Sequence, residues 1–457
     1  MADKDSRIEA GERCPGTSWD DLARSDSRRV PDFLLTEAYE DLGSEPLSVD
    51  RYVDPDFFAR EIEKMWPNVW QFAARDEEMP EPGDSVVYDN AGRSYILVRQ
   101  PDGEVRAFHN VCLHRGRRLR EKPGHLSQIR CPYHAFSWNT DGSLKQIPCA
   151  WDFPHLESKD MSLPEAQVGR WGGYIFVKES EGGPTLMEYL DPLPEHFQRW
   201  QHEECYTTAW AGKVVAANWK ACAEAFMEAF HVIATHPQIM AFTGDANSKY
   251  MMWGDHVNLA ITPFGVPSPH VEGTRREEQW IIDQFLKYNG RVVPEGQHID
   301  VPNGSTARRA MGDFNRNRFG EMAGRDLDFV SDAEVQDALT YNVFPNFSPW
   351  GGFSPNVIYR WRPWPDQDHT LMEVRVLNRL MPGEKPAKKP EMTLVGEDES
   401  WADLLGQLGV ILEQDMANLP QVQLGMKASK NRELNLGNYQ EVRIRHFHQT
   451  LDKYLAD

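Results

Sequence analysis

The first 45 residues carry polar and charged side chains with no sustained periodicity, and they are expected to form a flexible N-terminal arm. Residues 46–68 are expected to pack a helix on the larger C-terminal part of the chain. In the run from Asp54 to Trp66 an Asp-Pro start leads into apolar Phe58, Ile62, Met65 and Trp66 at helical spacing. Over 69–180 the texture changes to short β-branched runs, DSVVYD, SYILVRQ, VRAFHNVC and GYIFVKE, separated by Pro-Gly, Asn-Ala-Gly, Asp-Gly and Gly-Gly turns. Runs of that kind with no helical period between them predict a small all-β domain rather than βαβ units. Residues 181–457 mix a helical stretch, Trp219 to about Thr235, with the strand-like VNLAITPF, NVIYRWRPW and TLMEVRVLNRL and a last helix from about Glu399 to Asn418. Within them, residues 267–328 are rich in Arg, Gly and Asn and read as an insertion or lid, or equally as disorder. The expected class is α+β.

Composition bounds the function. With 457 residues and 40% hydrophobic side chains, the chain holds more apolar matter than one core absorbs, which implies two or three domains. The formal charge is −21, and the only dense basic cluster is Arg115 to Arg120, so nucleic acid is not the expected partner. No run approaches the ~20 apolar residues of a membrane span, and the polar first thirty residues do not read as a signal peptide. A cytoplasmic protein is expected. Six scattered cysteines are too few for a disulfide framework and read as thiols or metal ligands.

The first chemical constellation is Cys112-Leu-His114 and Cys131-Pro-Tyr-His134, one Cys and one His from each of two loops in the β region. Two thiolates and two imidazoles can hold a tetrahedral zinc, or a two-iron cluster with cysteines on one iron and histidines on the other. Zinc fingers usually pair like with like, whereas here each loop delivers one of each. His109 and His125 lie nearby, outside the spacing, and read as ordinary loop histidines. With Arg115-Gly116 after the first pair, Trp138 after the second and the turn Asp141-Gly142, the segment resembles the Rieske [2Fe-2S] family. That resemblance implies a cluster held by Cys112, Cys131, His114 and His134.

The second constellation lies in Asn218-Trp219-Lys220 and the helix after it. On a regular wheel Glu224, Glu228 and His231 share a ridge opposite Phe226, Phe230 and Ile233. An amphipathic helix with a solvated acidic ridge is the plain alternative. His236 falls about 140° from His231, so one metal can join them only if the helix unwinds before Pro237. On the last predicted helix Leu404, Leu408, Ile411 and Asp415 follow one apolar ridge, where a lone carboxylate is costly, while Glu413 points about 160° away. Two histidines and a carboxylate leave positions open on Fe(II) for oxygen chemistry.

Asn-Trp-Lys, the acid-rich helix and His-x4-His resemble the large, catalytic alpha subunit of Rieske non-haem iron oxygenases, the aromatic-ring-hydroxylating dioxygenase family. The resemblance covers about residues 48–440. It implies a helix-grip (START-like) catalytic domain with an antiparallel sheet, a mononuclear Fe(II) on His231, His236 and Asp415, and O2 as cosubstrate. Glu228 is implied as a bridge from His231 to the cluster ligand His134 of a neighbouring subunit in a head-to-tail homotrimer, with small beta subunits a further option. Glu-x-x-x-Glu-x-Phe-His is nearer to members that hydroxylate or dealkylate quaternary amines than to those with Asp at this place. Monohydroxylation or oxidative demethylation is therefore the expected activity, arene cis-dihydroxylation the alternative, and a non-enzymatic electron carrier the distant third. No Gly-x-Gly-x-x-Gly between strand and helix and no plant-type cysteine run occurs, so a separate NAD(P)H-dependent flavin reductase, with or without a ferredoxin, is expected to supply electrons. Phe226, Phe230, Asn342, Phe344, Trp350 and Phe353 are the candidate substrate-pocket residues.

Overall fold

The computed structural model describes residues 17–271, 277–288, 296–354, 356–386, 389–396 and 398–456. The β region forms a seven-stranded antiparallel sheet in the order Gln71–Arg75, Tyr174–Lys178, Glu165–Trp171, Val105–His109, Arg93–Arg99, Asp84–Asn90 and Gly124–His125. A two-residue hairpin joins Asp84–Asn90 to Arg93–Arg99 through Ala91 and Gly92, with φ of 48° and 76°. Two successive positive φ values match the right-handed twist of the paired strands. A smaller sheet of Ile129–Arg130, Ser137–Trp138 and Leu144–Gln146 carries the second cysteine loop.

The larger region is built on a five-stranded sheet, Ser348–Pro349, Asn356–Pro363, Thr370–Arg379, Cys205–Val215 and Thr393–Leu394, and a three-stranded one, Lys249–Trp253, Val257–Thr262 and Ala338–Val343. The bridge between Thr340 and Trp350 links the two sheets. All their pairings are antiparallel except that of Thr393–Leu394 with Ala211 and Gly212. The helices Trp219–Glu224, Gln407–Ala428 and Val442–Leu455 pack against these sheets and position the chemistry.

Four expectations need correction. The arm is packed from residue 17 onward: Trp19 is buried with its indole N–H on Asp337 (2.9 Å), Leu34 is buried, and Arg28 reaches Asp328. Residues 1–16 lie outside the described residues. The predicted helix Asp54–Trp66 is α-helical only over Pro55–Arg60 and widens into a π-turn over Glu61–Met65. The widened turn carries Glu61, fully buried, onto the ammonium of Lys220 (2.5 Å) and the indole of Trp219 (3.0 Å). Within 267–328 run two helices, Glu278–Tyr288 and Ala307–Ala323; residues 272–276 and 289–295 lie outside the described residues. The polar composition misled because Arg308 and Arg316 face inward, buried in ion pairs with Asp26, Asp337 and Asp332. Finally, the predicted helix 399–418 is a short turn, Ala402–Leu405, a break at Gly406 (φ 56°) and a long helix reaching Ala428. The helix Val442–Leu455, placed by no earlier pattern, follows it.

Gly409 sets how closely the long helix approaches that turn, since a β-carbon there would lie 2.5 Å from the amide N of Ala402 and 2.6 Å from the carbonyl of Trp401. Gly409→Ala should therefore push the helix outward and cost about 1–3 kcal/mol, read as a lowered melting temperature. A variant as stable as the parent would show that the helix can shift freely.

Buried His196 and half-buried His256 are among the histidines that weaken the fold in acid. Burial pushes His196, beside Tyr341, and His256, stacked on Tyr189, from 6.5 down to about 4. The unfolded chain binds these protons near 6.5 and the folded one only near 4, so their stabilisation is complete above 6.5 and fades as pH falls toward 4. Acidification from pH 7 to 5 should remove about 2 kcal/mol for each. Thermal unfolding at the two pH values checks this, and His196→Gln should flatten the decline.

Candidate metal centres

The two cysteine loops of the β region repeat one backbone pattern. In each, the cysteine N–H donates to the carbonyl five residues on, Arg117 (2.8 Å) or Phe136 (2.9 Å). Its carbonyl accepts from the N–H four residues on, Gly116 (3.0 Å) or Ala135 (3.1 Å). Those fourth positions sit in the left-handed region, with φ of 72° at Gly116 and 62° at Ala135. The repeat turns His114 and His134 toward each other, 4.7 Å between ring centroids, with both Nδ1 atoms buried and making no hydrogen bond. Burial raises the Cys112 thiol; at Cys131 burial is outweighed by the N–H groups of Tyr133 and His134, which hold that thiol below its ordinary value.

Two bare imidazole nitrogens beside two thiols that receive backbone N–H groups fit a metal group. Each loop delivers one thiol and one imidazole, which suits a two-iron group with both thiolates on one iron and both imidazoles on the other. Phe136 stacks on His114 (4.6 Å), and Tyr133 under Arg115 and Trp151 are exposed at the domain surface. His125 is held by Asp84 and His109 packs on Tyr95, away from the loops' donors.

The second centre is built where the helix Trp219–Glu224 ends. Asn218 caps that helix through the amide of Lys220 (3.1 Å), and its own amide group donates to the carbonyls of Tyr52 and Gln367. The helix was expected to continue to Thr235, unwinding only before Pro237; instead the backbone leaves it after Glu224 and regains one turn at Val232–Thr235. The wheel placing Glu228 and His231 on one ridge therefore does not apply. Irregular backbone lets Glu228 bind His231 twice, Oε1 to the ring Nδ1 (2.5 Å) and Oε2 to the amide N–H (3.1 Å).

His236, at φ −125° and ψ 51° and so neither helical nor extended, turns its Nε2 to 3.2 Å from that of His231. Asp415 Oδ1 lies 3.0 Å from His236 Nε2 and 3.5 Å from His231 Nε2. Each Nδ1 is engaged outward, His231 by Glu228 and His236 by the side-chain carbonyl of Gln414 (2.8 Å). Two imidazole nitrogens and a carboxylate this close can share a proton or, in its place, hold Fe(II) with positions left open. The local field agrees: against the cost of burial, the two carboxylates lift His231 to about 10, and the two histidines hold Asp415 below the usual carboxylate range. Glu413, the competitor, turns away and accepts from Ser400.

A cavity of about 180 Å3 opens beside these three donors. Phe226 and Trp350 line it as expected, with Phe242, Phe264, Tyr288 and Tyr359 completing the aromatic wall and Leu408, Ile411 and Leu412 from the long helix opposite. The other pocket candidates lie elsewhere. Phe230 is 40% exposed on the outer surface, Phe344 packs on Phe447 and Tyr454, Phe353 lies at a separate small cleft, and Asn342 is buried within its strand. On the far side of the donors, Glu228, His231 and Asp415 border an open groove with Asn418 and Val422. Among the described residues no helix is long and apolar enough to cross a membrane.

Sequence comparison agrees with this division. The Rieske [2Fe-2S] domain family matches residues 69–157, and the ring hydroxylating alpha subunit (catalytic domain) family matches residues 194–457. The glycine betaine monooxygenase oxygenase subunit of Pseudomonas aeruginosa (strain UCBPP-PA14) is 29% identical over 41% of this chain and 44% of its own. The large oxygenase component of the naphthalene 1,2-dioxygenase system of Pseudomonas aeruginosa is 34% identical over 40% and 42%. The aligned stretch thus spans less than half the length of either relative. The fold is shared with the quaternary ammonium Rieske monooxygenase CntA in complex with L-carnitine, at a TM-score of 0.64, 17% identity, 92% of this chain and 100% of that one. Naphthalene 1,2-dioxygenase with indole bound also has a TM-score of 0.64, at 21% identity over 92% and 94%. The chain therefore belongs to the ring-hydroxylating alpha subunit family, with a Rieske [2Fe-2S] domain preceding its catalytic domain.

Proposed function

We propose that this protein is the terminal oxygenase of a multicomponent system, hydroxylating or oxidatively demethylating a small organic molecule with O2 and electrons from a separate reductase, with or without a ferredoxin. One observation carries the proposal: His231, His236 and Asp415 converge between an apolar cavity on one side and an open groove reached by Glu228 on the other. In this reading Cys112, His114, Cys131 and His134 hold the cluster, and His231, His236 and Asp415 hold Fe(II). When bound, the cluster would supply single electrons and the ferrous ion the place where O2 is reduced.

The chain's own groups do the rest. Phe226, Phe242, Trp350 and Tyr359 exclude water and press the substrate toward the three donors. Glu228 fixes the Nδ1 proton of His231 and borders the groove. Val422 on the groove wall is exposed, as are Phe230, Ile233 and Leu424 on the chain segments that border the groove, and the β domain exposes Tyr133 and Trp151 near the cluster loops. Complementary apolar faces of this kind support a homotrimer in which the cluster of one subunit serves the Glu228 of the next; small beta subunits are a further option. The arginines from Arg115 to Arg120 offer an acidic redox partner a docking edge. Five free cysteines among the described residues favour a reducing, cytoplasmic setting.

The aromatic wall and the likeness to naphthalene dioxygenase support a second reading, arene cis-dihydroxylation. A substrate panel of N-methyl compounds and arenes, turned over with a reductase under 18O2, separates the two. One labelled oxygen in the product, or labelled water with formaldehyde release, is expected, whereas a diol carrying two labelled atoms overturns the first reading. A pure electron carrier would have no need of the second donor set.

A further inference from the structure

The two histidines of the mononuclear centre have unlike outer partners. His231 meets a carboxylate, Glu228, but His236 meets a neutral amide: Gln414 Oε1 lies 2.8 Å from His236 Nδ1 and 2.7 Å from Gln238 Nε2. The other half of the Gln414 amide donates back to Gln238 Oε1 (3.3 Å). In this arrangement the Gln414 carbonyl faces His236 and its amide nitrogen faces Gln238. A carbonyl acceptor there is matched by a proton on His236 Nδ1, which leaves Nε2 as the nitrogen turned toward Asp415 and His231, free to bind a metal once any proton it shares with Asp415 is displaced.

The same amides tie together three pieces of chain, His236, the turn Pro237–Ile239 and the helix Gln407–Ala428 that carries Asp415. A turn further along, Asn418 donates to Thr235 (3.1 Å), so the helix is fastened to the histidine segment at two levels. None of these contacts involves a metal.

We propose that Gln414, locked by Gln238, is a positioning residue that sets the tautomer of His236 and pre-assembles the metal site before any ion arrives, leaving His236 a neutral donor opposite the carboxylate-backed His231. The inference rests on the reading of His231, His236 and Asp415 as iron ligands. Outer-sphere partners of this kind change metal affinity by about 10- to 100-fold when removed.

Gln414→Met keeps the side chain's length and removes the acceptor, while Gln414→Glu restores an acceptor. Fe(II) affinity, measured by equilibrium dialysis of the cluster-containing protein against a competing chelator, should fall 10- to 100-fold for Gln414→Met and return to within about fivefold of the parent for Gln414→Glu. Long-range 15N–1H spectra of histidine-labelled, Fe(II)-free protein should show a single Nδ1–H tautomer for His236 in the parent and a mixed population in Gln414→Met. Unchanged melting temperature and cluster absorption in both variants exclude a folding effect. Parent-like iron affinity in Gln414→Met, or equal loss in both variants, overturns the proposal. His236→Ala distinguishes the two layers: if it keeps the mononuclear iron, the ligand reading itself fails, and if it loses the iron while Gln414→Met keeps it, only the role of Gln414 does.

Discussion

Asp415→Ala is expected to lose the mononuclear iron, reduce turnover to background and leave the cluster's visible absorption unchanged. The reason is geometric. Among the described residues Asp415 Oδ1 is the single carboxylate oxygen within reach of both His231 and His236 Nε2, at 3.5 and 3.0 Å, and Glu413 is held away by Ser400. Without it, two neutral imidazoles remain, a much weaker site for a hard divalent ion. The cluster loops lie on a different sheet and share no residue with the site, so their spectrum serves as an internal control. Retained iron would mean that another carboxylate supplies the third ligand.

Glu228→Gln is expected to leave both metals bound and lower turnover by about 10- to 100-fold. Glutamine keeps the size of the side chain and can still accept from His231, but it removes the negative charge beside the ring Nδ1 and weakens the contact at 2.5 Å. Glu228 borders the open groove together with His231 and Asp415, which places its carboxylate between the ring and the outside. Stopped-flow reoxidation of the reduced cluster in the presence of O2 should slow in proportion to turnover. Full activity in the variant would remove Glu228 from the electron path.

Both donor sets were legible in the sequence because metal sites concentrate rare residue types at fixed spacing: Cys112, His114, Cys131 and His134 within one β domain, and His231 and His236 after Asn-Trp-Lys. Asp415 was legible as a carboxylate that breaks an apolar ridge. Geometry between them was not. The irregular backbone from Ala225 to His231 is anchored by tertiary contact, the buried Arg443 guanidinium donating to the carbonyl of Met227, which no local pattern contains. The cavity wall was half missed for the same reason. Phe226 and Trp350 were found, but Phe242, Phe264 and Tyr359 come from segments brought together by the sheets, whereas Phe230 and Phe344 have the same composition and a different address. Gln414 sat in view beside Asp415, and a neutral amide gives no signal until its partner is known. The inward arginines of the helix Ala307–Ala323 show the converse, a polar stretch that is structure because its charges are paired across the fold.

The central claim is that one chain carries both a two-iron cluster and a separate ferrous site. Mössbauer spectroscopy of the 57Fe-enriched, reduced protein tests it most directly, since the two environments give distinct signals. The account predicts cluster iron and high-spin mononuclear Fe(II) in a ratio of about 2:1, with the mononuclear signal alone disappearing in Asp415→Ala. A parent spectrum containing only cluster iron, or one containing no cluster, would contradict it.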